Sequence, residues 1–409
     1  MKKTLLTICL VWMCFSLSAQ KIIDLSGKWS FSIDRQDNGE KEKWFSHTLN
    51  DFINLPGSMP EKQKGDEVTA KTQWTGSLYD SSYYYNPYME KYRKEGNIKF
   101  PFFLTPDKHY VGAAWYQKEV NIPADWKGER ILLFLERPHI ETTVWVNGQK
   151  TGMQNSLCVP HQYDITHYVR PGKCTITIRV DNRIKEINVG PDSHSITDQT
   201  QGNWNGIVGR ICLQTTPKTY FDDIQIYPEP EQKLARVKVV IKGTGTAKVK
   251  LSAESFNTDK KHIVPAIQQE IKLNKGVTET EMVLPMGNDM LLWDEFHPAL
   301  YKLKAEVTNG KKTEIKEIQF GMRRFEIKGK WFYVNGRKTQ LRGTVENCDF
   351  PLTGYAPMDV ESWERVFRIC RSYGLNHMRF HSFCPPEAAF MAADRVGFYL
   401  QPEGPSWPN

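Results

Sequence analysis

The sequence predicts a β-rich protein in which two successive β-sandwiches are followed by the opening of a (β/α)8 TIM barrel. Short strand patterns separated by turn signals fill residues 20–218, and a second set of strands covers 219–321. From 322 to 409, strand patterns alternate with helical patterns, which indicates parallel β/α units. We therefore predict three domains with these bounds.

Residues 1–19 have the features of a signal peptide. Lys2 and Lys3 precede an apolar run over 5–17, and small residues lead up to Ala19. A membrane anchor is the alternative, but the run is shorter than the roughly 20 residues needed to span a bilayer. We expect cleavage after Ala19 and export to the periplasm or the cell exterior, as for a Gram-negative bacterial signal peptide.

Composition and charge narrow the class of protein. The chain has 409 residues, of which 40% are hydrophobic and 25% charged, as in ordinary globular proteins. The formal charge is +7, and loss of Lys2 and Lys3 would lower it by two. Lysine and arginine are scattered rather than clustered, so we predict no nucleic-acid partner. No later segment is apolar enough for a transmembrane helix, and the oligomeric state is left open.

Six cysteines remain beyond residue 20, namely Cys158, Cys174, Cys212, Cys348, Cys370 and Cys384. Export permits disulfides, but sequence alone cannot choose among the many pairings. No C-x-x-C spacing is present, which argues against a zinc site. Buried thiols are the preferred interpretation.

The first domain is predicted to be a jelly-roll type of β-sandwich. Residues 29–33 and 174–180 alternate polar and apolar side chains, while 131–135 is a continuous apolar run. Asn147-Gly148, the strongest hairpin dipeptide, follows the strand pattern over 143–146. Residues 60–112 fit no such pattern and are predicted to be a long loop or insertion.

The second domain is predicted to be an immunoglobulin-like sandwich, since about 100 residues with six or seven strands fit that architecture. The predicted strands are Asp223–Tyr227, Ala235–Ile241, Lys248–Ser252, Val277–Leu284, Tyr301–Val307 and Thr313–Phe320.

The third domain is predicted to contain strands over 340–344, 376–380 and 398–401, with helices over 360–373 and 387–396. A closed barrel needs eight such units. We therefore expect the chain to be part of a longer protein; the alternative is a barrel start retained for a reason that the sequence does not disclose.

Several local patterns resemble glycoside hydrolase family 2, the family of β-galactosidases, β-glucuronidases and β-mannosidases. The patterns that carry the resemblance in the two sandwiches are Ala114-Trp115-Tyr116, Val144–Gly148, Tyr163–Thr166, Gly202–Ile207, Leu292-Trp293, Pro298–Tyr301 and Phe320–Arg323. The most specific match is Asn376-His377-Met378-Arg379, followed by 393–400 and Glu403. The resemblance covers nearly the whole chain after residue 19.

The sequence departs from the usual family pattern at two places that bear on the choice of substrate. The family usually has Arg-x-x-His-Tyr-Pro at the second barrel strand, whereas here His381 stands one position early and Ser382 occupies the place of the family histidine. Residues 343–349 replace the commoner Asn-Arg/Lys-His-Glu pattern.

The resemblance implies a retaining exo-β-glycosidase that hydrolyses terminal β-linked sugars of an oligosaccharide or polysaccharide, with a β-galactosidase-like enzyme as the first guess. Its two catalytic glutamates follow the fourth and seventh barrel strands and are expected beyond Asn409, so no catalytic residue is assigned here and the chain alone is expected to be inactive. No cofactor or metal is predicted. The alternative is a non-catalytic carbohydrate-binding module; a purely structural protein would leave the barrel strands unexplained.

Barrel active sites form at the carboxyl ends of the strands. The predicted substrate-binding residues are therefore Arg379, Glu403, His381, Glu346, Asp349 and Trp407. Arg379 can hold a carboxylate in a bidentate pair, or form a structural salt bridge. Trp407 can stack on a sugar, or pack on a neighbouring helix. For Glu403 the alternative is that it braces neighbouring loops, and for His381 that it is a hydrogen-bonded loop histidine. For Glu346 the alternative is a solvated acid, and for Asp349 a residue that only shapes a turn.

Overall fold

The computed structural model describes residues 20–69, 71–72, 75, 82–98, 104–185, 193, 195–198 and 202–405. The predicted signal peptide and Trp407 lie outside these residues. Within the described ranges, no helix combines the length and apolar character needed to cross a membrane.

The first sandwich is built from short antiparallel strands. Its elements are β1 (Ile22–Asp24), β2 (Gly27–Asp34), β3 (Asp51–Leu55), β4 (Gly57–Ser58), β5 (Asp66–Glu67), α1 (Ser82–Tyr85), β6 (Lys108–His109), β7 (Ala113–Ile122), β8 (Arg130–Pro138), β9 (Glu141–Val146), β10 (Gln149–Asn155), β11 (His161–Asp164), β12 (Gly172–Asp181) and β13 (Gly206–Thr216). Single 3-10 turns lie at Trp44–Ser46, Pro87–Tyr92 and Ala124–Trp126.

Two sheets pack face to face in this sandwich. One has the strand order β1-β13-β8-β11, with β4 on β13, and the other has the order β10-β9-β12-β7-β2-β3. Leu133, Tyr116 and Ile178 are fully buried in the core between them. The predicted hairpin forms at Asn147 and Gly148, which both have positive φ (50° and 78°) and so match the twist of β9 and β10. The short elements β5, β6 and α1 lie in the predicted insertion.

The second sandwich contains β14 (Tyr220–Glu229), β15 (Leu234–Phe256), β16 (Ile263–Pro285), β17 (Leu300–Asn309) and β18 (Lys312–Phe320), with a 3-10 turn at Pro230–Gln232. The first half of β15 pairs with β14 and the second half with β17, while β16 follows β15 along both halves. β18 pairs with β17, and its Glu314 accepts a hydrogen bond from the Phe221 backbone N–H of β14 (2.6 Å). The core of this sandwich is separate from that of the first.

The prediction of two strands at 235–241 and 248–252 is wrong: they are halves of β15. The register with β16 shifts between Gly243 and Gly245, so the strand bends without a reversing turn. Glycine in a strand marks such a bulge as readily as a turn, and the sequence did not distinguish the two.

Residues 325–405 form two further sheets. Strands β19 (Phe325–Lys328), β20 (Trp331–Val334) and β21 (Arg337–Thr339) form an antiparallel sheet that the sequence analysis missed. Then follow β22 (Gly343–Glu346), α2 (Val360–Ser372), β23 (His377–Phe380), α3 (Glu387–Val396) and β24 (Tyr399–Gln401). We call residues 340–405 the α/β segment.

Strands β22, β23 and β24 are parallel, in that order, and have their own hydrophobic core with the two helices. The predicted strand over 340–344 is displaced toward its carboxyl end and runs to Glu346. A TIM barrel is not evident in the described residues, which contain three parallel strands and two helices of this kind.

Local signals define both helices. Asp359 caps α2 by accepting a hydrogen bond from the Ser362 N–H (2.7 Å). Gly397 ends α3 in the left-handed conformation (φ 76°), and a Cβ at this position would lie 2.6 Å from the Glu295 carbonyl oxygen of the second sandwich.

A hydrogen bond also joins α3 to the second sandwich beside this contact, since Trp293 Nε1 donates to the Asp394 carbonyl oxygen (2.7 Å). The α/β segment is therefore packed directly on the second sandwich.

Candidate functional site

The carboxyl ends of the three parallel strands lie at one edge of the sheet. Glu346 pairs with Phe380, and Arg379 pairs with Gln401. The His381 N–H donates to the Glu346 carbonyl oxygen (2.9 Å), and the Glu403 N–H donates to the Phe383 carbonyl oxygen (3.3 Å). Four of the six predicted site residues, Arg379, His381, Glu346 and Glu403, are therefore held on neighbouring strand ends.

An ion pair joins β23 to the loop after β24. Arg379 Nε donates to Glu403 Oε1 at 2.5 Å, and Glu403 Oε2 accepts the Ser382 N–H at 2.8 Å. The hydrogen bond from Arg379 lowers the pKa of the Glu403 carboxyl, which partial burial opposes. The side chains of Arg379 and Glu403 are 39% and 25% exposed, so the pair is open to solvent and accessible to a ligand.

Ser382 defines the turn at the end of β23. It is buried and has a positive φ of 51°. Its N–H faces Glu403, while its carbonyl oxygen accepts a hydrogen bond from Ser195 Oγ of the first sandwich (2.8 Å). Ser382, which stands where the family has histidine, therefore fixes the loop and orients Glu403.

His381 projects toward the loop after β22, where its Nδ1 lies 3.3 Å from Asn347 Oδ1. The next residue, Ser382, binds the Glu403 carboxylate through its N–H, and His381 contributes to the lowered pKa of Glu403. His381 is thus brought together with the Arg379–Glu403 pair.

Glu346 and Asp349 behave differently from that pair. Burial raises the pKa of both carboxyls. Glu346 Oε1 accepts the Cys348 N–H (2.7 Å) and so shapes the loop that follows its own strand. Asp349 lines a groove of about 1250 Å³ between residues 349–359 and the first sandwich, and none of Arg379, His381 or Glu403 lines that groove. Asp349 therefore lies beside Glu346, whose carboxylate accepts its backbone N–H, but on a groove that the other three residues do not line.

Asn376, the first residue of the Asn-x-x-Arg pattern, is structural. Its side chain is 2% exposed. It donates to Glu295 Oε2 (2.5 Å) and the Gln340 carbonyl oxygen (3.1 Å), and accepts the Arg342 N–H (2.7 Å). These bonds lie at the amino end of β23, opposite the strand end that carries Arg379. The two polar residues of the motif thus act at opposite ends of one strand.

The sequence analysis missed a contribution from the first sandwich. Ser193 Oγ donates to the Pro405 carbonyl oxygen (2.6 Å), and Ser195 Oγ to that of Ser382. The same turn carries Asp198, which is 1% exposed, accepts the Thr75 N–H (2.6 Å) and lies 3.5 Å from His109. The only available signal was the density of small polar residues over 193–205.

Among the described residues, no three or more His, Cys, Asp or Glu side chains are grouped so as to hold a metal ion. The site as described consists of a cation, a carboxylate and an imidazole on strand ends, with loop carbonyl groups held by serine hydroxyl groups of the first sandwich. Such a set can hydrogen-bond to hydroxyl groups and orient a polar ligand.

Two family models match the chain in the order of its sandwiches. Residues 22–217 match the sugar binding domain of glycosyl hydrolases family 2, and residues 219–323 match a second model described as glycosyl hydrolases family 2. This chain belongs to glycosyl hydrolase family 2. Its first two domains are therefore the jelly-roll sugar-binding domain and the immunoglobulin-like domain of that family.

Relatives of this family 2 chain carry two activity names. Human β-glucuronidase is 24% identical over 93% of the chain and 57% of its own length. A β-galactosidase of Thermoanaerobacter pseudethanolicus is 24% identical over 76% of the chain and 42% of its own length. The chain spans about half the length of these relatives.

Solved structures share the fold. A family 2 member from Bacteroides cellulosilyticus matches 94% of the chain and 47% of its own chain, with a TM-score of 0.66 and 19% identity. A β-glucuronidase from Ruminococcus gnavus, solved with D-glucaro-δ-lactam, matches 94% of the chain and 60% of its own, with a TM-score of 0.66 and 18% identity. At these identities the likeness concerns the fold.

Proposed function

We propose that this chain is the N-terminal part of an exported, retaining exo-β-glycosidase that removes terminal β-linked sugars from oligosaccharides or polysaccharides. The α/β segment then corresponds to the first units of a TIM barrel, and the catalytic glutamates belong to later units. Family membership, the parallel order β22-β23-β24 and the greater length of the relatives support this proposal.

The observation that carries the proposal is the Arg379–Glu403 pair beside His381. A retaining mechanism needs two carboxyl groups about 5–5.5 Å apart, one as acid/base and one as nucleophile. Glu403 is unsuited to the acid role, because its bond from Arg379 favours the ionised form. Glu403 and Arg379 instead suit sugar binding, since a carboxylate accepts hydrogen bonds from hydroxyl groups and a guanidinium donates them.

The charge balance at these strand ends favours a neutral sugar. The charge of the Arg379 guanidinium is already balanced by Glu403, so the pair offers little net positive charge to a uronate carboxylate. Moreover, Glu346 lies on the neighbouring strand end and is a further acid. A β-galactoside therefore ranks before a β-glucuronide, although relatives carry both names.

The test uses the complete enzyme that contains this chain. Hydrolysis of 4-nitrophenyl β-galactoside, β-glucuronide and β-mannoside is measured, and the anomer first released is identified by NMR. We expect β-galactoside to be the best substrate and the β-anomer to appear first. Absence of hydrolysis of all three, or release of the α-anomer, would overturn the proposal. Sequencing of the mature N-terminus from the periplasm or the medium tests the export part.

A second candidate is sugar binding without hydrolysis, which the description of the model matching residues 22–217 favours. One aromatic face of the jelly roll is already occupied, because Phe45 stacks on Trp145 with ring centroids 5.1 Å apart and planes 6° apart. Trp44 contacts Trp115 in the same cluster. Calorimetric titration with oligosaccharides tests this candidate. It would be favoured if the complete protein binds an oligosaccharide but hydrolyses none of the three substrates.

A further inference from the structure

Two cysteines from different domains lie on loops that one arginine holds together. Cys158 lies in the loop after β10 of the jelly roll, and Cys384 lies in the loop after β23 of the α/β segment. Both side chains are partly exposed, so a thiol reagent can reach them.

The backbones of both loops are held by one guanidinium. Arg137 of β8 donates from Nη1 to the Cys384 carbonyl oxygen (3.0 Å), and from Nη2 to the Cys158 carbonyl oxygen (3.3 Å). Nη2 also donates to the Pro385 carbonyl oxygen (3.3 Å). Disulfides form only when the two cysteines approach within a narrow range of Cα distances. Arg137 holds the two chain segments side by side, which brings Cys158 and Cys384 toward each other.

The chemical setting makes Cys384 the first nucleophile. The interaction with the Cys158 thiol, together with the charge of Arg137, lowers the pKa of the Cys384 thiol, against the effect of burial. The same interaction and burial raise the pKa of Cys158. The thiolate is the reactive form in thiol–disulfide exchange, so one thiol of the pair is activated and the other is placed to resolve the intermediate.

We propose that Cys158 and Cys384 are the site of a disulfide that joins the jelly roll to the strand-end loop of the α/β segment. This inference does not depend on the glycosidase activity. It concerns the loop that carries Ser382, the residue whose N–H binds Glu403, so the bond would fix the surroundings of the candidate site.

The oxidant is a disulfide, either a small molecule such as oxidised glutathione or an oxidised dithiol protein. The Cys384 thiolate attacks one sulfur of this disulfide, forms a mixed disulfide and releases one thiolate. Cys158 then loses its proton to solvent and attacks the Cys384 sulfur, which releases the second thiolate. The two cysteines are oxidised, the oxidant is reduced to two thiols, and atoms and electrons balance.

The test compares the wild-type chain with Cys158→Ser, Cys384→Ser and the matched control Cys174→Ser, which removes a buried thiol from the jelly-roll core. Each protein is incubated with oxidised glutathione, alkylated, and digested without reductant for mass mapping. We expect wild type and Cys174→Ser to lose two titratable thiols and yield one peptide pair linked through Cys158 and Cys384. The other two variants should yield no such pair.

Two results would overturn the proposal. One is the absence of the linked pair in oxidised wild type. The other is a link from Cys158 or Cys384 to the neighbouring buried Cys348 instead. Because wild type and the Cys174→Ser control decide the outcome by themselves, the test holds even if a serine variant fails to fold.

Discussion

The jelly roll and the α/β segment place their charged groups differently. In the jelly roll, Asp181 is fully buried and binds Arg179, Arg183 and Lys185 at the end of β12. In the α/β segment, the Arg379–Glu403 pair is partly exposed at the strand ends. The first arrangement stabilises a sandwich interior, whereas the second leaves charge available to a ligand.

The sheets differ in the same sense. β8 of the jelly roll has β13 on one side and β11 on the other, and its apolar residues are covered by the facing sheet. In the α/β segment, β22 and β24 each pair only with β23 among the described residues. The comparison teaches that stability is concentrated in the sandwiches and ligand-accessible chemistry in the α/β segment.

The largest effect is expected for Leu133→Ala in β8. Leu133 is fully buried in the jelly-roll core, and truncation of such a leucine costs about 2–5 kcal/mol in lost burial and an unfilled cavity. Denaturant unfolding measures the change. The control is Ile22→Ala, which removes a side chain on a residue that is 58% exposed and should alter stability by less than about 0.5 kcal/mol. Equal losses in both variants would contradict the assignment of this core.

A smaller, local effect is expected for Asn376→Ala. The change leaves Glu295 and the Gln340 carbonyl without their donor and the Arg342 N–H without its acceptor. Each buried group that loses its partner costs about 1–3 kcal/mol. Hydrogen exchange should quicken over 340–346 and leave the jelly roll unchanged. Asn288→Ala, at an exposed site bonded to Lys233, is the control and should leave exchange over 340–346 unchanged.

Acid should destabilise the jelly roll. Burial lowers the pKa of His139 to about 3 and that of His161 to about 4, from an ordinary value of 6.5. Burial alone would raise the pKa of the Asp181 carboxyl, but hydrogen bonds from Arg183 and Lys185 outweigh this effect and lower it. Below pH 6.5 the unfolded histidines bind more protons than the folded ones, so stability falls as pH falls, by on the order of 1 kcal/mol per pH unit for each buried histidine.

The α/β segment should respond less steeply. Burial raises the pKa of Glu346, Asp349 and Asp394, so their folded forms bind protons first and gain stability as pH falls. Arg379 lowers the pKa of Glu403, and burial lowers the pKa of His377, so these two groups lose stability as pH falls. Hydrogen exchange resolved by region, from about pH 7 to about pH 4.5, measures both responses. A steeper loss of protection in the α/β segment than in the jelly roll would contradict this prediction.

The smallest effect on stability is expected for Glu403→Gln. Partly exposed ion pairs contribute roughly 0–1 kcal/mol, and the amide oxygen of glutamine can still accept the Ser382 N–H. Thermal unfolding should therefore change little. A large loss of stability would assign Glu403 a bracing role.

Local signals account for the features that the sequence predicted well. Helix α3 has the predicted bounds because Pro386 precedes it and Gly397 ends it, and the Asn147-Gly148 hairpin forms as its turn chemistry requires. The failures involve long-range packing. The bend of β15 looks like a turn until β16 is seen beside it, and the bond from Ser195 to Ser382 joins residues far apart in sequence.

The most direct test of the central claim is the effect of Arg379→Ala and Glu403→Gln on kcat/KM of the complete enzyme toward its best β-glycoside. Misplaced or missing positioning groups typically cost about 100-fold in rate, so both variants should lose about that factor. The control is Glu387→Gln, in helix α3 of the same segment as Arg379 and Glu403. It removes the charge of an exposed glutamate that pairs with Arg210 of the jelly roll, and it should retain wild-type kcat/KM. Values for Arg379→Ala and Glu403→Gln equal to that of the control would contradict the account.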